Sequence, residues 1–292
     1  MDRRQHRRPG RTVVAVGILG LTAGLGAGTA GCSGSGAAAE GVPGAGGDPV
    51  AALHRAADTL RAAGSSKATT SMEMATGGTR VTIRGTGVYD YRRRTGRLTV
   101  VLPEDPTGAA EHRPITELLA PGALFMKNRG AGVPADKWVR VETASLSDGN
   151  LVTGGATDPY VAAEVLRGTR TAAYLGRTEV GGTEVLHYRG TADLAGAAEK
   201  ASADNRASLR AAAAGFATAR VPFDAYLDEQ GRLRKLRQSF SFVNGRRRTA
   251  VAVASTTLLY GFGTPADVSL PRPRDIYAGR VAGGEGEIRP PH

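Results

Sequence analysis

Cysteine is almost missing from this 292-residue chain: Cys32 is the only one. No disulfide within the chain and no cysteine-built zinc site is then possible, so the folded part must be held by core burial alone. At 41% apolar residues it has the material to do so. Aromatic residues make up only 5%, and lysine is confined to positions 67, 127, 137, 200 and 235. The net charge of +11 rests on dispersed arginines, with no run beyond the N-terminus longer than three, as in Arg246-Arg247-Arg248. A nucleic-acid surface wants a continuous basic face, often with stacking aromatics, so nucleic acid is not an expected partner. Long apolar runs are few as well: one covers residues 13–25, and no second span follows.

What surrounds that run is informative. Five arginines (Arg3, Arg4, Arg7, Arg8, Arg11) precede it, and small residues lead to Thr29-Ala30-Gly31-Cys32. A charged start, a short apolar stretch and a small-residue cleavage site make a signal peptide over residues 1–31. Ala30-Gly31-Cys32 resembles the lipobox of bacterial lipoproteins, although leucine is more usual where Thr29 stands. The resemblance implies that Cys32 becomes the acylated first residue of the mature chain. Each buried methylene of an acyl group stabilises anchoring by about 0.8 kcal/mol. The expected place is the extracytoplasmic face of the cell membrane, with the membrane itself as a partner. Loss of residues 1–31 removes five arginines and one aspartate and leaves +7.

Residues 32–48 have the Gly, Ala and Ser content of a flexible tether. Val50, Leu53, Ala57 and Leu60 then recur on one helical face, predicting a helix from 49 to about 61. Most of the remainder reads as antiparallel strands: 68–76, 80–91, 97–102, 123–127, 137–142, 172–180, 184–190, 222–227, 233–243 and 248–259. Tight-turn residues separate many of them, including Gly77-Gly78, Gly181-Gly182 and Asn244-Gly245. Asp158-Pro159 reads as an N-cap followed by proline at the first helical position, and the alanine-rich stretch 194–219 as one helix. The tail 274–292 reads as disordered, leaving a single domain over residues 49–273.

Four segments in this order resemble LolA-like envelope lipoproteins, in particular the actinobacterial LppX/LprG-like branch. They are Asp158-Pro159 through Leu175-Gly176, Gly181 to Gly190 ending in His187-Tyr188-Arg189-Gly190, Val221 to Asp228 with Gly231-Arg232-Leu233, and Gly263 to Val268. The resemblance implies an α+β fold: a curved antiparallel sheet, a half barrel, with helices packed on its concave face. It also implies an apolar cavity between the two, and no shared catalytic residues. The stretch 193–220 and the scarcity of bulky apolar residues depart from the pattern in ways that would shrink such a cavity.

An acyl-chain site needs inward apolar side chains, each Å² of buried apolar surface contributing about 25 cal/mol. Met72 with Met74, Leu98 with Val100, Leu186 with Tyr188, and Phe240 with Phe242 each share a strand face, and Phe223 joins them. These nine are the candidate ligand-cavity residues; the competing reading is that they fill an ordinary core. Trp138 is the candidate anchor of the strand 137–142.

Catalysis finds little support. His6 and His292 lie in the signal and the tail, His54 and His112 in a helix and a loop, and His187 opposite Leu186 and Tyr188. No pair has metal-ligand spacing, and no cofactor motif survives, since Gly26, Gly28 and Gly31 of the only G-x-G-x-x-G fall in the signal. Asp224 and Asp228 read as solvent-facing carboxylates about 13 Å apart along a strand, too wide for a glycosidase pair at roughly 5 to 9.5 Å. The expected function is therefore non-enzymatic. It is a membrane-anchored monomeric lipoprotein that binds or carries a lipid or other hydrophobic ligand. The alternative is a surface interaction or sensor lipoprotein with a closed core and an envelope protein partner.

Overall fold

The computed structural model describes residues 47–76, 79–103, 113–243 and 250–278. The signal, Cys32, nearly all of the tether, His112, the Gly77-Gly78 and Asn244-Gly245 turns and Arg246-Arg247-Arg248 lie outside the described residues.

Eleven antiparallel strands form one sheet: β1 (Ser65–Thr76), β2 (Thr79–Asp90), β3 (Thr95–Val101), β4 (Ile115–Ala120), β5 (Ala123–Lys127), β6 (Val139–Glu142), β7 (Thr169–Val180), β8 (Thr183–Asp193), β9 (Arg220–Leu227), β10 (Leu233–Val243) and β11 (Ala250–Tyr260). Their order is β6-β5-β4-β3-β2-β1-β11-β10-β9-β8-β7, so the sheet is curved but not closed, with β6 and β7 at its two edges. The α+β half barrel implied by the sequence resemblance is the observed architecture.

This order explains what covers the sheet. After β6 the chain must travel to the opposite edge before β7 can begin, across ten inter-strand spacings, roughly 48 Å along the sheet. It makes the crossing over the concave face through a 3₁₀ turn, an irregular loop at 146–158, and the helix α2 (Pro159–Val165). Every residue of α2 is buried. Seven residues are too few for a helix to be stable alone, so packing holds it, and Asp158 caps it by accepting from the Tyr160 and Val161 amides at 2.7 and 3.1 Å. The outer helix α1 (Pro49–Ala63) starts with an Asp48 cap and buries Leu53, Ala56, Ala57 and Leu60.

The stretch 194–219 forms two helices where the sequence predicts one: α3 (Leu194–Lys200) and α4 (Ala203–Gly215). The break has a cause in α2. Glu164 is fully buried, and its carboxylate accepts from the Ser202 amide at 2.9 Å, the Ser202 hydroxyl at 3.0 Å and the Asn205 amide at 2.6 Å. Satisfying that carboxylate draws Ser202 out of helical geometry.

One large apolar core lies between sheet and helices. A smaller cluster of Leu118, Ala123 and Phe125 is covered by Trp138, Val268 and Ile276. The C-terminal segment is pinned there by Trp138 N–H to the Asp275 carbonyl at 2.9 Å and Tyr277 N–H to the Trp138 carbonyl at 2.8 Å. Trp138 thus bonds to residues 275–277, next to its own strand β6. Among the described residues no helix is long and apolar enough to cross a membrane.

Candidate functional site

The concave surface over β1–β5 is roofed by the 146–158 loop and forms the candidate site. Its floor alternates as a half-buried sheet should: Thr70 and Met72 on β1, Ile83 and Gly85 on β2, Leu98 and Val100 on β3, Ile115 and Glu117 on β4. Thr70, Gly85, Val100 and Ile115 are in register across four strands.

Asp148 organises the roof. Its carboxylate accepts from the amides of Asn150 (3.1 Å), Val152 (2.7 Å) and Thr153 (2.6 Å) and from the Thr153 hydroxyl (2.9 Å). The loop meets the floor through the smallest residues. A Cβ on Gly85 would stand 2.6 Å from Thr70 Oγ1 and 3.3 Å from Ala156 Cβ, so only glycine lets the loop seat this deeply. A Cβ on Gly154 would lie 2.9 Å from Asn150 Oδ1 and 3.4 Å from Glu117 Oε1.

Glu117 is the unusual residue of the site. It is fully buried, stands between Leu98 and Met126 in register, and neither carboxylate oxygen has a hydrogen-bond partner among the described residues. Burial pushes its pKa up to about 8, against a lowering pull from Arg129. Thr70 Oγ1 is likewise buried and unpartnered. Nothing in the strand pattern of the sequence signals Glu117: β4 is absent from the predicted strands, and a lone glutamate between Thr116 and Leu118 reads as solvent-facing. The roof glycines Gly154 and Gly155 were equally silent as a site.

The nine candidate cavity residues sit in three places. Met72, Met74, Phe240 and Phe242 gather at one end of the concave face, with Met74, Val253 and Phe240 in register. Phe216, just beyond α4, stacks on Phe240 at 4.9 Å and tilts against Phe242 at 4.6 Å. Leu98 and Val100 lie in the floor beneath the loop. Leu186 and Tyr188 on β8 and Phe223 on β9 occupy the other half of the sheet, Phe223 lying over Gly190 and Tyr188 near Tyr174 at 5.6 Å. Met72 and Phe240 are 1% and 4% exposed, packed against their neighbours. Two open depressions, of about 370 and 470 Å³, lie on the surface around the C-terminal end of α1, near Phe262 and Arg92 respectively.

Outside this face, His187 is held by Asp224 at 2.7 Å and stacked on Tyr226 at 4.3 Å, with Arg189 on the same carboxylate at 2.9 Å. Asp228 corrects the sequence expectation. It is not a solvent-facing strand residue but is 2% exposed, beyond the end of β9, where it accepts from the Gln230 and Arg232 amides and the Arg232 side chain. Three donors in that turn share this one carboxylate, which compensates its burial.

No protein-family model and no curated protein sequence matches the chain. Among solved structures, the lipoprotein LppX of Mycobacterium tuberculosis is similar at 10% identity and a TM-score of 0.44, covering 76% of this chain and 100% of that one. LprF of Mycobacterium bovis gives 13% identity and 0.39, over 77% and 96% of the two chains. A LolA superfamily protein of Nitrosomonas europaea gives 10% and 0.33, over 72% and 92%. The likeness to these structures is a distant one of fold.

Proposed function

We propose that this chain is an exported lipoprotein, anchored through acylated Cys32, that binds or carries a lipid or other hydrophobic ligand on the concave face of its half barrel, without catalysis. The observation that supports it is the nature of the cover. Over β1–β5 the apolar floor is roofed by an irregular loop rather than by a helix or strand, seated above two unpartnered polar groups. Lifting it would expose Met72, Ile83, Leu98 and Val100 to a guest.

Protein produced from Ser33 onward, lacking the anchor and purified without detergent, tests this by native mass spectrometry and solvent extraction. Co-purifying lipid, or saturable uptake of a fluorescent fatty acyl probe, is the expected result. Protein that stays ligand-free and takes up no probe would overturn the proposal.

The packed interior around Met72 and Phe240 favours a second reading, an interaction or sensor lipoprotein at the cell surface with a closed core. Crosslinking in cells that recovered one stable envelope protein, with no lipid on the purified domain, would select it.

A further inference from the structure

We infer that the floor beneath loop 148–157 is a head-group subsite, in which Glu117 accepts hydrogen bonds from the ammonium group of an amphiphile. The inference rests on the ligand-binding reading above and adds the chemical class of the ligand.

A carboxyl group in an apolar enclosure forfeits its hydration, and that loss is expensive unless a partner replaces it. Here both oxygens of Glu117 lack a partner, and the neighbours across the strands, Leu98 and Met126, offer none. The charged groups nearby are already engaged. Arg129, which faces Glu117 from beyond β5, donates to the Thr153 carbonyl of the roof at 3.3 Å. Asp148, at the base of the loop, is used by four donors within the loop itself. Asn150 Oδ1 accepts from the Gly154 amide at 3.1 Å.

A guest replacing the loop over Glu117 meets an unpaired acceptor set among aliphatic side chains. An ammonium head supplies both the donors and the opposite charge, and charge-assisted hydrogen bonds of this kind are roughly twice as strong as neutral ones. A hydroxyl head supplies donors without the charge. A carboxylate head would set two like charges side by side in a low-dielectric space. The alkyl part then lies along Val100 and Ile83, the side chains nearest Gly155, and on to Met72, which is in register with Ile83.

Dodecylammonium, dodecanol and dodecanoate share one chain and differ in the head, so they separate the subsite from the general reading. Their affinities for the protein from Ser33 onward are measured by displacement of a fluorescent acyl probe at pH 8 and pH 5. At pH 8 dodecylammonium binds about tenfold or more tightly than dodecanol, the worth of one charge-assisted pair, and dodecanoate binds weakest. The preference shrinks at pH 5, where Glu117 holds its proton while the amine stays charged, and in Glu117→Gln it is absent at both values. Equal binding of all three heads in the wild type would overturn the subsite and leave the ligand-binding reading standing. No binding of any of them, including the probe, would overturn both. The pH comparison within the wild-type protein keeps the test decisive if Glu117→Gln does not fold.

Discussion

Replacing Glu117 by glutamine keeps the shape of the side chain and removes its titration, and the effect on stability follows from its enclosure. The carboxyl is raised from its ordinary 4.5 to about 8 by burial. A carboxyl raised in the folded state binds its proton more tightly there than in the unfolded chain, so wild-type stability falls as pH rises from about 4.5 to about 8. With 1.36 kcal/mol for each tenfold change in proton affinity, the loss between pH 5 and pH 8 amounts to about 3 kcal/mol. Asp158, also raised by burial to about 6, acts in the same direction but is common to both proteins and cancels in the comparison. Urea unfolding at pH 5, 6, 7 and 8 is therefore expected to give two curves that diverge, Glu117→Gln gaining about 3 kcal/mol on the wild type across the series. Lifting of the loop would let water reach the carboxylate and reduce the gap, so this figure is an upper bound. Parallel curves would show that Glu117 titrates as an ordinary surface carboxylate, and the enclosed acceptor on which the head-group subsite depends would not exist.

Three further substitutions probe the cover and the core. Asp148→Ala removes the acceptor of four hydrogen bonds inside the loop and should destabilise by about 2–4 kcal/mol, with new proteolytic cleavage confined to 148–157; uncut protein of unchanged stability would contradict the organising role of Asp148. Phe240→Ala empties a packed position against Phe216 and should lose about 3–5 kcal/mol in chemical unfolding, whereas a loss below ~1 kcal/mol would mean that this end of the sheet is already open. Glu164→Ala leaves the Ser202 and Asn205 donors buried without their acceptor and should lose about 3 kcal/mol. Faster amide exchange at 201–205 is expected with it, and unaltered exchange there would show that the break between α3 and α4 has another cause.

Much of the fold was legible because the signals are local. Alternation in Leu98 and Val100, the Asp158-Pro159 cap and the limits of the strand at 233–243 each depend on neighbouring residues, and the structure places them accordingly. What escaped depends on partners distant in sequence. The division of 194–219 is imposed by Glu164, some 38 residues away. The packing of 275–277 depends on Trp138, and the burial of Asp228 on the donors of Gln230 and Arg232 in its own turn. The candidate site was half legible for the same reason. Strand periodicity puts Met72, Leu98 and Val100 on the inner face, but only the crossing from β6 to β7 decides what covers them and encloses Glu117.

The middle of the concave face sets how that cover can move. The central strands turn Thr70, Ser255, Thr257 and Gln238 inward, a polar belt rather than a greasy one. It clamps α2: Gln238 donates to the Ala162 carbonyl at 3.2 Å, and Tyr89 donates to Asp158 at 3.1 Å. On the far side of α2, Glu164 ties the helix to Ser202 and Asn205. Within 148–157, Thr157 bonds Ser255 of the sheet at 2.6 Å and Arg129, beyond β5, donates to the Thr153 carbonyl at 3.3 Å, while Asp148 and Asn150 accept from the loop itself. Lifting the loop breaks those two ties and uncovers Leu151 and Val152, whereas displacing α2 would strand several polar groups at once, each costing about 1–3 kcal/mol. The proposed opening over β1–β5 would thus be separable from any opening over β9 and β10, and would give access to the concave face from that side.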